Sequence, residues 1–262
     1  MKAFFVALHI EFLKAIKSKV FWATLIFFGF IAVMMGFIML IAKNPEIAGN
    51  SEVLSIKASM ISNPVWPVFY MLLIQMVITV GSLGPSIVAI WVFGREYSDR
   101  TMKDILVMPV SRLSIVMAKF IVVTVWSLLL LILLYVFSIF MGLVINLDGW
   151  TNELFSQKTI LYSVSALLTV LLFPVIALIT CASRGYLLPV GITILLMITT
   201  QFVSMALPAI TPWFPWAIPA LYSGVAGPLS PEPVALSYII LGLTSLVGIA
   251  GTAAWWRYAD QH

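Results

Sequence analysis

LSIVMAKFIVVTVWSLLLLILLYVFSIFMGLVI, residues 113–145, carries a single charge, at Lys119 close to its start. A helix needs about 20 apolar residues to cross ~30 Å of hydrocarbon, where only a helix or a closed barrel satisfies its own backbone. A barrel strand reads as about ten residues of alternating polarity, and this run does not alternate. Outward from it lie five more runs of the same character, at 21–42, 66–93, 160–181, 186–207 and 234–256. The reading is an all-α integral membrane protein with six transmembrane helices. Composition agrees, since 62% of the 262 residues are hydrophobic, 9% are charged, and the mean hydropathy is +1.12. Soluble domains carry about 25% charged residues, so this chain could not cover a globule with solvated groups. Soluble enzymes are excluded on that ground. One cysteine, Cys181, rules out a disulfide framework and a cysteine metal cage. With no basic face on a soluble module, no nucleic-acid partner is expected.

Runs two and three exceed the length needed, which predicts tilt or extension beyond the bilayer. Gly81-Ser82-Leu83-Gly84-Pro85 predicts a kink or local unwinding in the second span, because Pro85 lacks a backbone donor. Pro174 predicts a bend in the fourth. Of the 14 basic residues, 11 fall on one side: Lys2, Lys14, Lys17, Lys19, Arg95, Arg100, Lys103, Arg112, Lys119, Arg184 and Arg257. Lys43, Lys57 and Lys158 fall on the other. The positive-inside rule therefore puts both termini in the cytoplasm, and the membrane is expected to be the plasma (inner) membrane. The first apolar run is too long for a cleaved secretory signal and is expected to stay.

The whole chain, 1–262, reads as one transmembrane domain. Residues 1–20 predict an interfacial amphipathic helix with Phe5, Leu8, Phe12 and Ile16 as its apolar stripe, and Glu11, Lys14, Lys17 and Ser18 mostly elsewhere. Its lysines either fix orientation alone or help the helix border a cytoplasmic partner. Spans one and two follow within 21–93. The segment 94–112, GREYSDRTMKDILVMPVSR, holds seven of the 24 charged residues. Thr101 to Asp104 fits a capping box, in which hydroxyl and carboxylate satisfy orphan backbone donors. Met102, Ile105 and Leu106 share a face, Pro109 ends the helix, and Ser111 can cap span three. Such a short helix has no core of its own to pack on. It is expected to dock on a second protein, the alternative being a solvated connector. Spans three to five occupy 113–207. Residues 208–233 contain seven of the 14 prolines, with Trp213, Phe214, Trp216 and Tyr222 among them. They read as a re-entrant extracellular segment before span six, or as a belt of aromatic anchors. Span six and a cytoplasmic tail complete 234–262.

No acid or base lies deep in a span, and the two histidines, His9 and His262, are near the ends. An ion-coupled carrier or channel needs groups that bind and release its ion, and an intramembrane enzyme needs a base; both are disfavoured. The chain has no G-x-x-x-x-G-K-[ST] phosphate loop, so it is not expected to hydrolyse ATP by that route; no cofactor or metal is expected within it. Its 13 methionines pair with no His or Cys and read as adaptable packing. Gln75, Thr79 and Ser82 in span two, with Thr200, Gln201 and Ser204 in span five, either join helices by hydrogen bonds or line a substrate path.

A cytoplasmic elbow, six spans and the string Glu96…Thr101-Met102-Lys103-Asp104-Ile105-Leu106…Pro109-Val110-Ser111-Arg112…Lys119 resemble the ABC-2 type permeases. Related permeases read Glu, then Gly-Thr, a Leu-rich turn, Pro-x-Ser-Arg and a Lys seven positions on; here Arg100 stands where the glycine is usual. The resemblance implies the membrane subunit of an ATP-driven exporter of the type V fold. It implies two copies of a separate ATPase subunit, which bind ATP and Mg, and a second permease copy or homologue in the same lipid membrane. It makes the loop a coupling helix, with Glu96, Arg100, Thr101, Met102, Lys103, Asp104, Ile105, Leu106, Pro109 and Arg112 at or near the ATPase contact and no catalytic residue in this chain. Uncharged, aromatic-rich spans lean toward an amphipathic or apolar cargo such as a drug, a peptide antibiotic or a lipid.

Overall fold

Hydroxyl side chains start three of the spans. Ser18 Oγ accepts from Phe21 N at 3.0 Å and opens span one, Lys19–Lys43. Ser111 Oγ accepts from Ser114 N at 3.2 Å and opens span three, Arg112–Val144, as its position predicts. Thr151 Oγ1 accepts from Leu154 N at 3.1 Å at the head of span four. Each contact satisfies one of the donors a helix start leaves orphaned. The computed structural model describes all residues except 1, 49–50, 52–55, 57–60, 62, 102–109, 228–229 and 259–262. Among the described residues, six helices are long and apolar enough to cross a membrane. Span two is Trp66–Ser98, span five Leu187–Ala206 and span six Ala235–Tyr258. An additional helix, Lys2–Ile16, precedes span one.

Span four is two helices, Asn152–Val170 and Phe173–Ser183, with a turn at Leu171 and Leu172. Pro174 lies in the first turn of the second piece, where its missing donor costs nothing. The expected bend is thus a break. Pro85 behaves otherwise, and the predicted unwinding of span two is corrected: the helix runs through it from Trp66 to Ser98. Hydroxyls bridge the backbone on either side of the proline. Ser82 Oγ donates to Thr79 O at 2.7 Å and Ser86 Oγ to Ser82 O at 2.9 Å. The residue four before the proline, whose carbonyl its ring crowds, is Gly81, which adds no side chain to the conflict.

Spans two and four are the most enclosed helices and span five the most exposed. Span two packs on spans three and four, span one on span three, and span four on span six. The four–six contact is backbone to backbone, since a Cβ added at Gly248 would lie 2.4 Å from Pro174 C. At one end Trp66 packs edge-on to Trp150 and covers Gly142, and Lys43 Nζ donates to the carbonyls of Ile145 and Asn146 at the close of span three. The other end gathers the N-terminal helix, the close of spans two, four and six, and the start of spans three and five. It carries most of the basic residues and is called the basic end below.

The proline-rich stretch forms two 3-10 turns, Thr211–Trp213 and Pro215–Ala217, and a short helix, Ile218–Ser223, closed by Gly224 at φ 75°. These pieces pack on spans four, five and six, with Thr211, Ala217 and Ile218 buried.

In the N-terminal helix the four residues of the expected apolar stripe have different surroundings. Leu8 and Phe12 pack against the core, but Phe5 and Ile16 are exposed. The fully buried positions are Ala7, Glu11 and Ala15, so a carboxylate sits on the inner face. Small alanines let that face approach the bundle closely, and Glu11 has partners there that the helix alone does not supply.

Candidate functional site at the basic end

Lys119 lies seven residues beyond Arg112, which at 1.5 Å per residue puts it about 10 Å into span three. Its side chain is fully buried. Three donors on its ammonium meet three acceptors: Glu96 Oε1 at 2.6 Å, Glu11 Oε2 at 3.1 Å and Val92 O at 3.0 Å. Val92 and Glu96 are one helical turn apart at the close of span two, so one face of that helix offers both a carbonyl and a carboxylate. Arg95 Nη2 reaches Glu96 Oε1 at 3.1 Å and Glu11 Oε2 at 3.3 Å, with its guanidinium 4.7 Å from the Trp91 ring centre. Lys14 closes the set, 2.9 Å from Glu11 Oε1 and 3.6 Å from Glu96 Oε1.

Three cations and two anions thus share one cluster fed by the N-terminal helix, span two and span three, buried at Lys119, Glu96 and Glu11 and partly exposed at Lys14. Burying charges is unfavourable unless each is paired and hydrogen-bonded, and removing one partner strands the rest. The cluster therefore accepts few relative positions of its three helices. It acts as a clamp on their register.

The loop that resembles a coupling helix leaves this clamp directly. Thr101 N donates to Glu96 O at 3.0 Å and Arg100 N to Tyr97 O at 3.3 Å. This six-to-one and five-to-two pair is a Schellman closure of span two. It requires a left-handed residue, and Arg100 supplies it at φ 57°. The position where the resemblance leads one to expect glycine is thus one whose backbone glycine adopts most readily. On the far side of the loop, Arg112 Nη1 donates to Trp256 O at 3.2 Å and Arg257 O at 3.3 Å, capping the last turn of span six. Trp256 is buried and donates through Nε1 to Cys181 Sγ at 3.3 Å in span four.

Of the residues expected at a partner contact, Glu96 faces inward, 1% exposed, and holds the clamp. Arg100 is exposed, Thr101 half-buried, and Arg112 exposed but bonded to span six. Met102, Lys103, Asp104, Ile105, Leu106 and Pro109 lie outside the described residues. Glu11 was not singled out as a site residue, although it is the first acid in the chain and none follows before Glu46. An isolated acid among lysines near a membrane surface is the signal that points to it.

Among the described residues the hydrogen bonds of the candidate path residues stay within one span and do not link span two to span five. Thr79 Oγ1 donates to Gln75 O and Thr200 Oγ1 to Leu196 O, each within its own helix. Ser82 and Ser204 are half-buried, whereas Gln75 and Gln201 face outward from this chain. Between spans one and two an apolar groove of about 530 Å³ is lined by Phe27, Phe30, Met34, Leu72, Met76 and Val80.

The family model described as ABC-2 family transporter protein matches residues 7–200, from the N-terminal helix through most of span five. The bacitracin transport permease protein BCRB of Bacillus licheniformis is 24% identical over 179 residues, which cover 68% of this chain and 84% of that protein. No solved structure matches. The matched region contains Glu11, Lys14, Arg95, Glu96 and Lys119, the whole of the clamp.

Proposed function

This chain belongs to the ABC-2 family of transporter proteins, and from that premise, as a membrane subunit of an ABC transporter, we propose that it exports an amphipathic or apolar cargo. ATP with Mg is bound and hydrolysed by two copies of a separate ATPase subunit, whose cleft receives the segment 101–111. The basic end faces the cytoplasm, as the distribution of Lys and Arg argues. The observation that carries this reading is the buried Lys119–Glu96–Glu11 clamp at the root of that segment. A push on the segment meets a rigid root in spans two and three on one side and the Arg112 cap on span six on the other. Closure of the ATPase is thereby converted into movement of whole helices rather than bending of a loop.

A second copy, or a homologous permease, covers span five. Gln75 and Gln201 face outward, and an amide turned to lipid lacks the partners a neighbouring subunit supplies. The groove beside Met76 is lined by apolar side chains, which suits the apolar part of such a cargo. The likeness to a bacitracin permease supports a peptide antibiotic as one such cargo. The short 3-10 and helical pieces before span six form the re-entrant extracellular lip of that path.

Purification from native membranes tests the assignment. An ATPase subunit should come with the permease in equal amount, and inside-out vesicles should take up cargo only with ATP. Transport by the isolated chain, driven by an ion gradient, would contradict it.

A further inference from the structure

Arg112 and Arg257 stand side by side at the basic end, one opening span three and the other closing span six. Between the two spans lies a cavity of about 640 Å³ with the two guanidiniums and Tyr258 at its mouth and Leu113, Ala250 and Ala253 along its wall. We propose that this cavity binds an anionic phospholipid of the leaflet at the basic end, its phosphate on Arg112 and Arg257 and its first acyl carbons along the alanines of span six.

The placement of the arginines carries the first half. Arg112 is held by Nη1 on the carbonyls of Trp256 and Arg257, which spends one of its nitrogens and aims the planar group along the end of span six. Arg257 rests 5.2 Å from the centre of the Tyr258 ring, which leaves its fork open to a ligand. Among the described residues, no carboxylate lies within 4.0 Å of either guanidinium, whereas the clamp nearby pairs every cation it holds. Two forks at one mouth suit a phosphate, whose oxygens accept bidentate bonds.

The shape of the cavity carries the second half. Its wall is apolar, and the alanines leave a channel that longer side chains would fill. At helical spacing the exposed Leu243, Leu246 and Val247 of span six continue the line of Ala250 and Ala253 away from the arginines. A free phosphate would satisfy the mouth and leave that wall wet. An acidic side chain on a protein partner would have the same defect. A phospholipid satisfies both ends at once, and basic pockets between helices on the inner side of a membrane take anionic headgroups.

The test uses the full chain in phosphatidylcholine nanodiscs doped with phosphatidylglycerol, with retained lipid counted by native mass spectrometry. Wild type should hold about one phosphatidylglycerol in strong preference to phosphatidylcholine. Arg257→Gln keeps the Arg112 bonds to the helix end and should weaken that retention about tenfold. Ala253→Trp leaves both charges in place and should expel the lipid by filling the channel. Equal retention by wild type and both variants would overturn the proposal. So would full competition by millimolar inorganic phosphate, which would mark a free-anion site. Loss of ATPase binding in either variant with lipid retention unchanged would also overturn it, assigning the surface to the ATPase instead.

Discussion

Lys119 Nζ and Glu96 Oε1 are 2.6 Å apart, from helices that the intervening loop separates, and neither side chain reaches solvent. A buried pair of this kind adds little stability over a well-packed apolar pair of the same volume, but it is costly to break from one side. Its value here is positional, because the same ammonium also holds Glu11 of the N-terminal helix at 3.1 Å.

Lys119→Met should therefore destabilise the protein by about 3–5 kcal/mol, since two carboxylates lose their central partner. Glu96→Gln should cost less, because Arg95 and Lys14 still face Glu11. The double variant should be less damaging than the sum, with a coupling of about 2 kcal/mol in a double-mutant cycle. Thermal unfolding in detergent measures all three, and strict additivity would show that the two side chains do not depend on each other.

Arg100→Gly should raise stability by up to about 1 kcal/mol, because a side chain in the left-handed region is disfavoured by roughly that amount. Arg100→Val should do the reverse. The same unfolding measurement decides, and a loss with glycine would mean that the arginine side chain matters more than its backbone.

Gly248→Val forces a side chain onto the backbone of Pro174 and Val175, so spans four and six must separate, at a cost of about 1–3 kcal/mol. Gly242→Ala, on the same helix with nothing within 4 Å, serves as the control and should be close to neutral. Equal effects of the two would contradict the close packing described.

Six spans were legible because each carries enough apolar residues to cross a bilayer, and the capping role of Ser111 followed from local chemistry, whereas Pro174, expected to bend span four, starts a second helix. The early start of span four at Asn152 was not, because Glu153 and Lys158 interrupt the apolar pattern while remaining good helix residues. The clamp was half legible. Glu96 and Lys119 stand out as charges at the edge of apolar runs, but their pairing spans 23 residues and that of Lys119 with Glu11 spans 108. Helical periodicity reports one helix at a time, so it grouped Phe5, Leu8, Phe12 and Ile16 in one stripe and gave no sign that Glu11 turns toward the bundle. The bonds of Arg112 to span six were not legible for the same reason, since nothing near it in sequence announces those carbonyls.

Replacing Ile105 and Leu106 together with Asp tests the central claim most directly. Both lie in the segment between the clamp and the Arg112 cap, and two charges at an apolar contact should cost several kcal/mol. The spans are untouched, so insertion and expression should match wild type. Co-purification of the ATPase and cargo-stimulated ATP hydrolysis should be lost. A double variant that still pulls down its ATPase and transports at the wild-type rate would show that this segment is a mere connector, and that the clamp transmits nothing from it.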